Sequence, residues 1–191
     1  MPRLFVGIEI PADARERLCD LEVPLPGAKW IPEDDLHITL RFAGDMDGRK
    51  ARDFDEALAS IQLDVFEIRF TELGAFGGNE PRALWAGVDG GNMLEQLARA
   101  CERAARQAGL QPEPRAFKAH VTLARLRGTR VDDMARFLEH HGGFRLPPFV
   151  AERFVLFSAR PAVGGGPYVI EANYPLRGGM LGDPMDDDEL A

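Results

Sequence analysis

The chain has 191 residues, enough for one domain of ordinary size or two small lobes sharing a core. It is 45% hydrophobic and 28% charged, as soluble globular proteins are, and no apolar run is long enough to cross a bilayer. The formal net charge of −8 argues against wrapping a long nucleic-acid duplex, although gripping one phosphate needs only a local positive pocket.

Alternation and β-formers predict a strand over 4–10, too short and too interrupted by charge for a signal peptide, so a cytoplasmic location is expected. A helix follows from Pro11 to about Leu21, then a Pro/Gly loop over 25–29. A strand is expected over 36–42, and Asp47-Gly48 opens a helix running to about Ser60. Next come a strand over 66–71, a loop with three glycines over 74–81 and a strand over 83–88. Helical periodicity spans 92–108, with Gly109 as its C-cap, and a Pro-containing loop covers 111–115. The last elements are a strand over 119–126, a helix over 131–140, and strands over 149–158 and 168–174 either side of a glycine loop at 164–166. Residues 1–178 form a single bilobal domain in this reading. Residues 179–191, which hold Asp183, Asp186, Asp187, Asp188 and Glu189, read as an acidic, disordered tail. Cys19 and Cys101 have neither disulfide nor zinc spacing and are expected as reduced, buried thiols.

Both halves mix strands and helices, and both contain a strand of the form His-apolar-Thr-Leu. The implied fold is α+β: a duplicated unit whose two pseudo-symmetric, antiparallel-rich sheets face a central cleft, with helices outside. The chain has four histidines and four threonines, and two of each combine as His37-Ile38-Thr39-Leu40 and His120-Val121-Thr122-Leu123. Residues i and i+2 of a strand share a face, so His37 and Thr39 line the cleft together, as do His120 and Thr122. Imidazole moves a proton near neutral pH. Two of them on opposite sides of a phosphorus divide an in-line displacement between general base and general acid, and threonine hydroxyls hold the phosphoryl oxygens. A zinc site would need a third or fourth ligand at suitable spacing, which is missing, so no metal and no cofactor are expected. His140 and His141, before Gly142-Gly143 at a helix end, read as capping or solvent-facing residues. Strict alternation puts Arg41 on the His37 face and turns Arg125 away from His120, unless a bulge at the strand end brings Arg125 back.

The stretches KWIPEDDLHITLRFAG at 29–44 and FKAHVTLAR at 117–125 resemble the two-histidine phosphoesterase superfamily, and within it the RNA 2′,3′-cyclic phosphodiesterases once described as 2′-5′ RNA ligases. RLFVGIEI at 3–10, PRALWAGV at 81–88, Tyr168 and Pro175-Leu176 extend the resemblance to everything but the tail. It departs at Ala119, where the family often has proline. The resemblance implies a bilobal fold and hydrolysis of RNA or nucleotide 2′,3′-cyclic ends to 2′-phosphomonoesters. His37 would then give a proton to the leaving ribose oxygen, His120 would activate water, and Thr39, Thr122 and the arginines Arg41 and Arg125 would contact the substrate. RNA ends or cyclic nucleotides are the expected partners of a monomer. The alternatives are a 2′-5′ RNA ligase or another cyclic-nucleotide phosphoesterase of the same fold, or a non-catalytic nucleotide- or RNA-binding module.

Overall fold

The computed structural model describes residues 3–159 and 168–178; the acidic tail and the glycine loop at 164–166 lie outside them. The elements run β1 (Arg3–Glu9), α1 (Ala12–Cys19), β2 (Ala28–Trp30), β3 (His37–Asp45), α2 (Gly48–Ala59), β4 (Phe66–Phe76), β5 (Ala83–Asp89), α3 (Gly91–Gln107), β6 (His120–Leu126), α4 (Val131–His140), β7 (Phe149–Ala151), β8 (Arg153–Ala159) and β9 (Val169–Pro175). A single 3-10 turn, Glu33–Asp35, precedes β3.

Local chemistry sets the helix ends. The Asp47 side chain accepts a hydrogen bond from the Lys50 N–H at the start of α2, 2.9 Å away, as an N-cap should. Helix α3 ends in a Schellman motif: Gly109 adopts φ +90°, its N–H donates to Arg106 O, and the Leu110 N–H donates to Ala105 O. The buried residues of α3 are Leu94, Leu97, Ala98, Ala100, Cys101, Ala104 and Ala105, most of them on the stripe that the periodicity of the sequence predicts. Cys101 is buried and Cys19 half-buried, and both are free.

The strands form a strongly curled antiparallel sheet in the order β7-β4-β5-β6-β3-β1-β8-β9, with β2 also beside β6. This is the expected α+β fold of two related halves, β3-β1-β8-β9 and β6-β5-β4-β7. Among the described residues they are joined through one register pair of β3 and β6, Ile38 opposite Val121. Each half also borrows a strand. After α2 the chain crosses to lay β4 against β5, and after α4 it adds β7 to β4 before returning to lay β8 against β1. The main core lies between sheet and helices and takes Leu4, Val6 and Ile8 of β1, Ile38 and Leu40 of β3, Leu84 and Ala86 of β5, and Val121 and Leu123 of β6.

Three expectations about local structure are corrected. Ala28–Trp30 is a strand, not a loop, because Trp30 packs on Phe137 while Lys29 pairs in register with Arg125. Strand β4 continues through Phe76 where the glycines suggest a loop. Gly74 is in the strand to make room for Trp85, whose ring lies 2.4 Å from where a Cβ would sit. The stretch expected as one strand over 149–158 breaks at Glu152, whose carbonyl accepts the Leu176 N–H; β7 serves β4 and β8 serves β1.

Gly7 of β1 touches the neighbouring strand: a Cβ there would lie 2.6 Å from Ile38 O and 3.5 Å from His37 Cδ2. Gly7→Ala is therefore expected to cost about 1–3 kcal/mol as the strands are forced apart. Gly48→Ala, in a position with nothing within 4 Å, should leave stability unchanged or slightly raised. Urea denaturation of the two variants checks the contrast, and equal midpoints would contradict it.

Candidate active site

Past the Ile38–Val121 contact, β3 and β6 diverge. His37 and His120 stand one residue before that contact on the face opposite the main core, and Thr39 and Thr122 stand one residue after it on the same face. The two rings are hinged alike. His37 Nδ1 is 2.7 Å from Asp35 O, and His120 Nδ1 is 2.6 Å from Lys118 O, the carbonyl two residues back in each case. A carbonyl only accepts, so each Nδ1 carries its proton and each Nε2 is the atom left to exchange one. His37 Nε2 lies 2.9 Å from the Thr39 hydroxyl.

Aromatic rings hold both imidazoles. Phe5 (4.9 Å between centroids), Tyr168 (5.4 Å) and Phe157 (5.8 Å) surround His37. Phe76 (5.0 Å) and Trp85 (6.4 Å) flank His120. Phe5, Val155 and Phe157, with Tyr168 packed against them, form a second small apolar cluster on the cleft side of the sheet. Burial lowers the pKa of both imidazoles below the ordinary value. For His37 the hydrogen bond to Asp35 and the Asp35 carboxylate oppose that, while the charges of His120 and Arg125 reinforce it. For His120 the hydrogen bond to Lys118 O opposes it and the Lys118 ammonium reinforces it.

The arginines exchange places relative to strict alternation. Thr39 pairs with Gly7 and Arg41 with Val6, so Leu40 is an extra residue and the phase of β3 flips after it. Arg41 is thereby buried on the helix side, where it donates to the Glu102 carboxylate of α3 and to the carbonyls of Phe42 and Gln111. Phe42 comes to the cleft face, 52% exposed and 6.0 Å from Phe5. The matching bulge in β6, with Leu123 extra between Thr122 and Ala124, brings Arg125 onto the His120 face. Arg125 is exposed there, has no ion-pair partner among the described residues, and is close enough for its charge to act on His37. Of the six residues singled out from the sequence, five share the cleft face and Arg41 does not.

Sequence reasoning missed Asp35, Lys118, Phe157 and Tyr168 as neighbours of the histidines. One readable signal existed for the aromatic walls: LFVGIE at 4–9 and LWAGVD at 84–89 repeat a pattern of aromatic, spacer, glycine. Both glycines lie under the cleft, although the repeat is offset in register, Gly7 facing Thr39 and Gly87 facing His120. A cavity of about 280 Å³ beside His120 is lined by Thr71, Glu72, Trp85, Phe117 and Lys118 among others. Among the described residues no three His, Cys, Asp or Glu side chains are grouped to hold a metal ion. His140 and His141 lie in another cavity, with Pro24 and Arg136.

A model of the 2′-5′ RNA ligase superfamily matches residues 10–156. The chain belongs to that superfamily. Among relatives named RNA 2′,3′-cyclic phosphodiesterase, that of Aeropyrum pernix is 38% identical over 121 residues, 62% of this chain and 67% of its own. That of Bacillus subtilis is 33% identical over 162 residues, 82% of this chain and 87% of its own. Escherichia coli LigT, solved in complex with 3′-AMP, has the same fold. Its TM-score is 0.75 at 23% identity, covering 93% of this chain and 99% of LigT. No helix among the described residues is long and apolar enough to cross a membrane.

The two arginines should separate in a stability assay. Arg41→Met takes the cation away from the Glu102 carboxylate, which keeps only the Glu113 N–H, and leaves two carbonyls without that donor; it is expected to lower unfolding stability by about 1–3 kcal/mol. Arg125→Met, at an exposed site, should change it by less than about 0.5 kcal/mol. Comparable losses in chemical denaturation would overturn this division.

Proposed function

We propose that the chain hydrolyses the 2′,3′-cyclic phosphodiester at an RNA or nucleotide end to a 2′-phosphomonoester, with His37 and His120 as acid and base. The observation that carries this reading is the pair of identically hinged imidazoles, each with Nδ1 spent on a carbonyl and Nε2 left as the atom to exchange a proton, that of His37 beside the Thr39 hydroxyl, on one cleft face with two threonines. Water attacks phosphorus as His120 Nε2 takes its proton. The P–O3′ bond breaks as His37 Nε2 gives its proton to O3′, leaving a 3′-hydroxyl and a 2′-phosphate. Thr39, Thr122 and Arg125 hold the non-bridging oxygens, where charge develops. The names of the relatives support the substrate class. The same site would join ends if an RNA 5′-hydroxyl replaced water, which the superfamily's name favours; water at bulk concentration favours hydrolysis. Retention of a phosphate without turnover would be served by arginine and would not require two imidazoles with preset tautomers.

The acid and base both come from the chain, so hydrolysis of a 2′,3′-cyclic nucleotide should persist in chelator; loss in chelator with recovery on adding one divalent cation would refute this. His37→Ala and His120→Ala should each lower kcat by a factor on the order of 10² or more. Near-wild-type turnover in either variant removes that residue from the mechanism.

The pH dependence follows from the burial of both rings. In kcat/KM, which reports the free protein, the rate needs His37 charged and His120 neutral, so it traces a bell. Both imidazoles sit below the ordinary 6.5, which centres the bell on the acid side of pH 6.5. His37→Ala should lose the alkaline limb, where the acid is deprotonated, and His120→Ala the acidic limb, where the base is protonated. Opposite losses would exchange the two roles.

A further inference from the structure

We propose that Asp35 and Lys118, which occupy the same place two residues before His37 and His120, are positioning residues whose opposite charges decide which imidazole is the acid and which the base. This rests on the hydrolytic reading above and deepens it, because the two hinged motifs carry the same residue types and differ in charge only at the residue two before each histidine. His37-Ile-Thr-Leu and His120-Val-Thr-Leu present the same groups, and each ring donates to the carbonyl of residue i−2. The side chain on that residue is a carboxylate in one motif and an ammonium in the other.

Both charges are held in place. Asp35, only 9% exposed, closes the 3-10 turn before β3, and its Oδ1 accepts the backbone N–H of Tyr168 at 3.1 Å. The Tyr168 ring in turn meets His37 edge-on at 5.4 Å. The carboxylate therefore fixes one wall of the His37 pocket while placing a negative charge beside the ring, in surroundings where a charge is poorly screened. Lys118 is held by two aromatic faces: its Nζ lies 4.4 Å from the Trp85 centroid and 5.3 Å from that of Phe76. These are the two rings that flank His120. The ammonium is thus kept over the His120 pocket, where it opposes a second positive charge.

Other charged groups do not reproduce this division. On the His37 side, β6 contributes Arg125 and His120, both of which disfavour imidazolium. Glu9 of β1, opposite His37 in register, is paired with Arg153 of β8 at 2.6 Å. The Tyr168 phenol is the remaining titratable group packed on the ring. On the His120 side, Gly87 of β5 lies opposite in register, and Glu72 and Asp89 line the adjoining cavity with Lys118. Asp35 is thus the anion that keeps a proton on His37 against Arg125 and His120, and Lys118 is the cation that keeps His120 ready to accept one.

The test uses Asp35→Asn, Lys118→Met and Lys118→Arg. Asp35→Asn retains an oxygen for the Tyr168 N–H, and Lys118→Met retains length without charge, so the walls survive and only the charge is lost; unchanged Tm values check this. Profiles of kcat/KM on a 2′,3′-cyclic nucleotide are recorded together with NMR titration of the imidazoles. Asp35→Asn should move the alkaline limb down by about half a pH unit or more, roughly threefold in rate on that limb, and lower the His37 titration. Lys118→Met should move the acidic limb up and raise the His120 titration, and Lys118→Arg should restore the wild-type profile. Unmoved titrations in both charge-removing variants, or Asp35→Asn acting on His120 instead of His37, overturn the inference. Absence of turnover in the wild type would instead sink the hydrolytic reading, and the titrations would still judge the charge assignment.

Discussion

Strands β3 and β6 meet in register at Ile38 and Val121 and then part, and the cleft is built around that contact. Both residues are fully buried, so the strands cannot slide without taking an apolar side chain out of the core. Because strand faces alternate, fixing these two residues fixes His37 and Thr39, His120 and Thr122, on the opposite side. The core contact and the chemistry are consecutive residues of the same strands. A register slip of one residue would exchange imidazoles for aliphatic chains, which is a stronger guarantee of geometry than any hydrogen bond at the surface.

The same alternation explains what was legible in the sequence. The repeated His-apolar-Thr-Leu pattern is a period-two signal, and period two is what a strand imposes; hence the histidines, the threonines and the shared cleft could be read directly. Helices α2, α3 and α4 were equally plain, from Asp47 at one N-cap to the Schellman glycine at 109. The bulges were not legible. Nothing in ITLRF or VTLAR says that Leu40 or Leu123 is the extra residue, since both are apolar and both remain in the core. Each bulge nevertheless reverses the phase of the residues just after it, so strict alternation assigns Arg41 and Arg125 to each other's faces. Short β2 was hidden for a different reason: three residues are too few to show a period, and its pairing with β6 is tertiary.

Aromatic packing gives the cleft its stiffness. Phe5, Phe157 and Tyr168 around His37, and Phe76 and Trp85 around His120, pack against the imidazoles at 4.9–6.4 Å between centroids. Gly7, Gly74 and Gly87 are the counterpart of those rings, since a methyl at any of them would meet a neighbouring atom within 2.6 Å. Burial has an electrostatic consequence as well. It pushes both imidazoles toward the neutral form, and of the charges acting on His37 the Asp35 carboxylate is the one that opposes this.

The exchange of strands between the halves bears on how the chain reaches this state during synthesis. β1 pairs on one edge with β3, close to it in the chain, but its other edge is completed only by β8, about 150 positions later. Until then one edge of β1, with Leu4, Val6 and Ile8 beside it, has no partner and is open to pairing with another chain. The first half cannot finish before the second has emerged from the ribosome, and contacts this distant in sequence form slowly. The pocket around His37 is therefore completed late, when β8 brings Phe157 against a ring whose own strand was made long before.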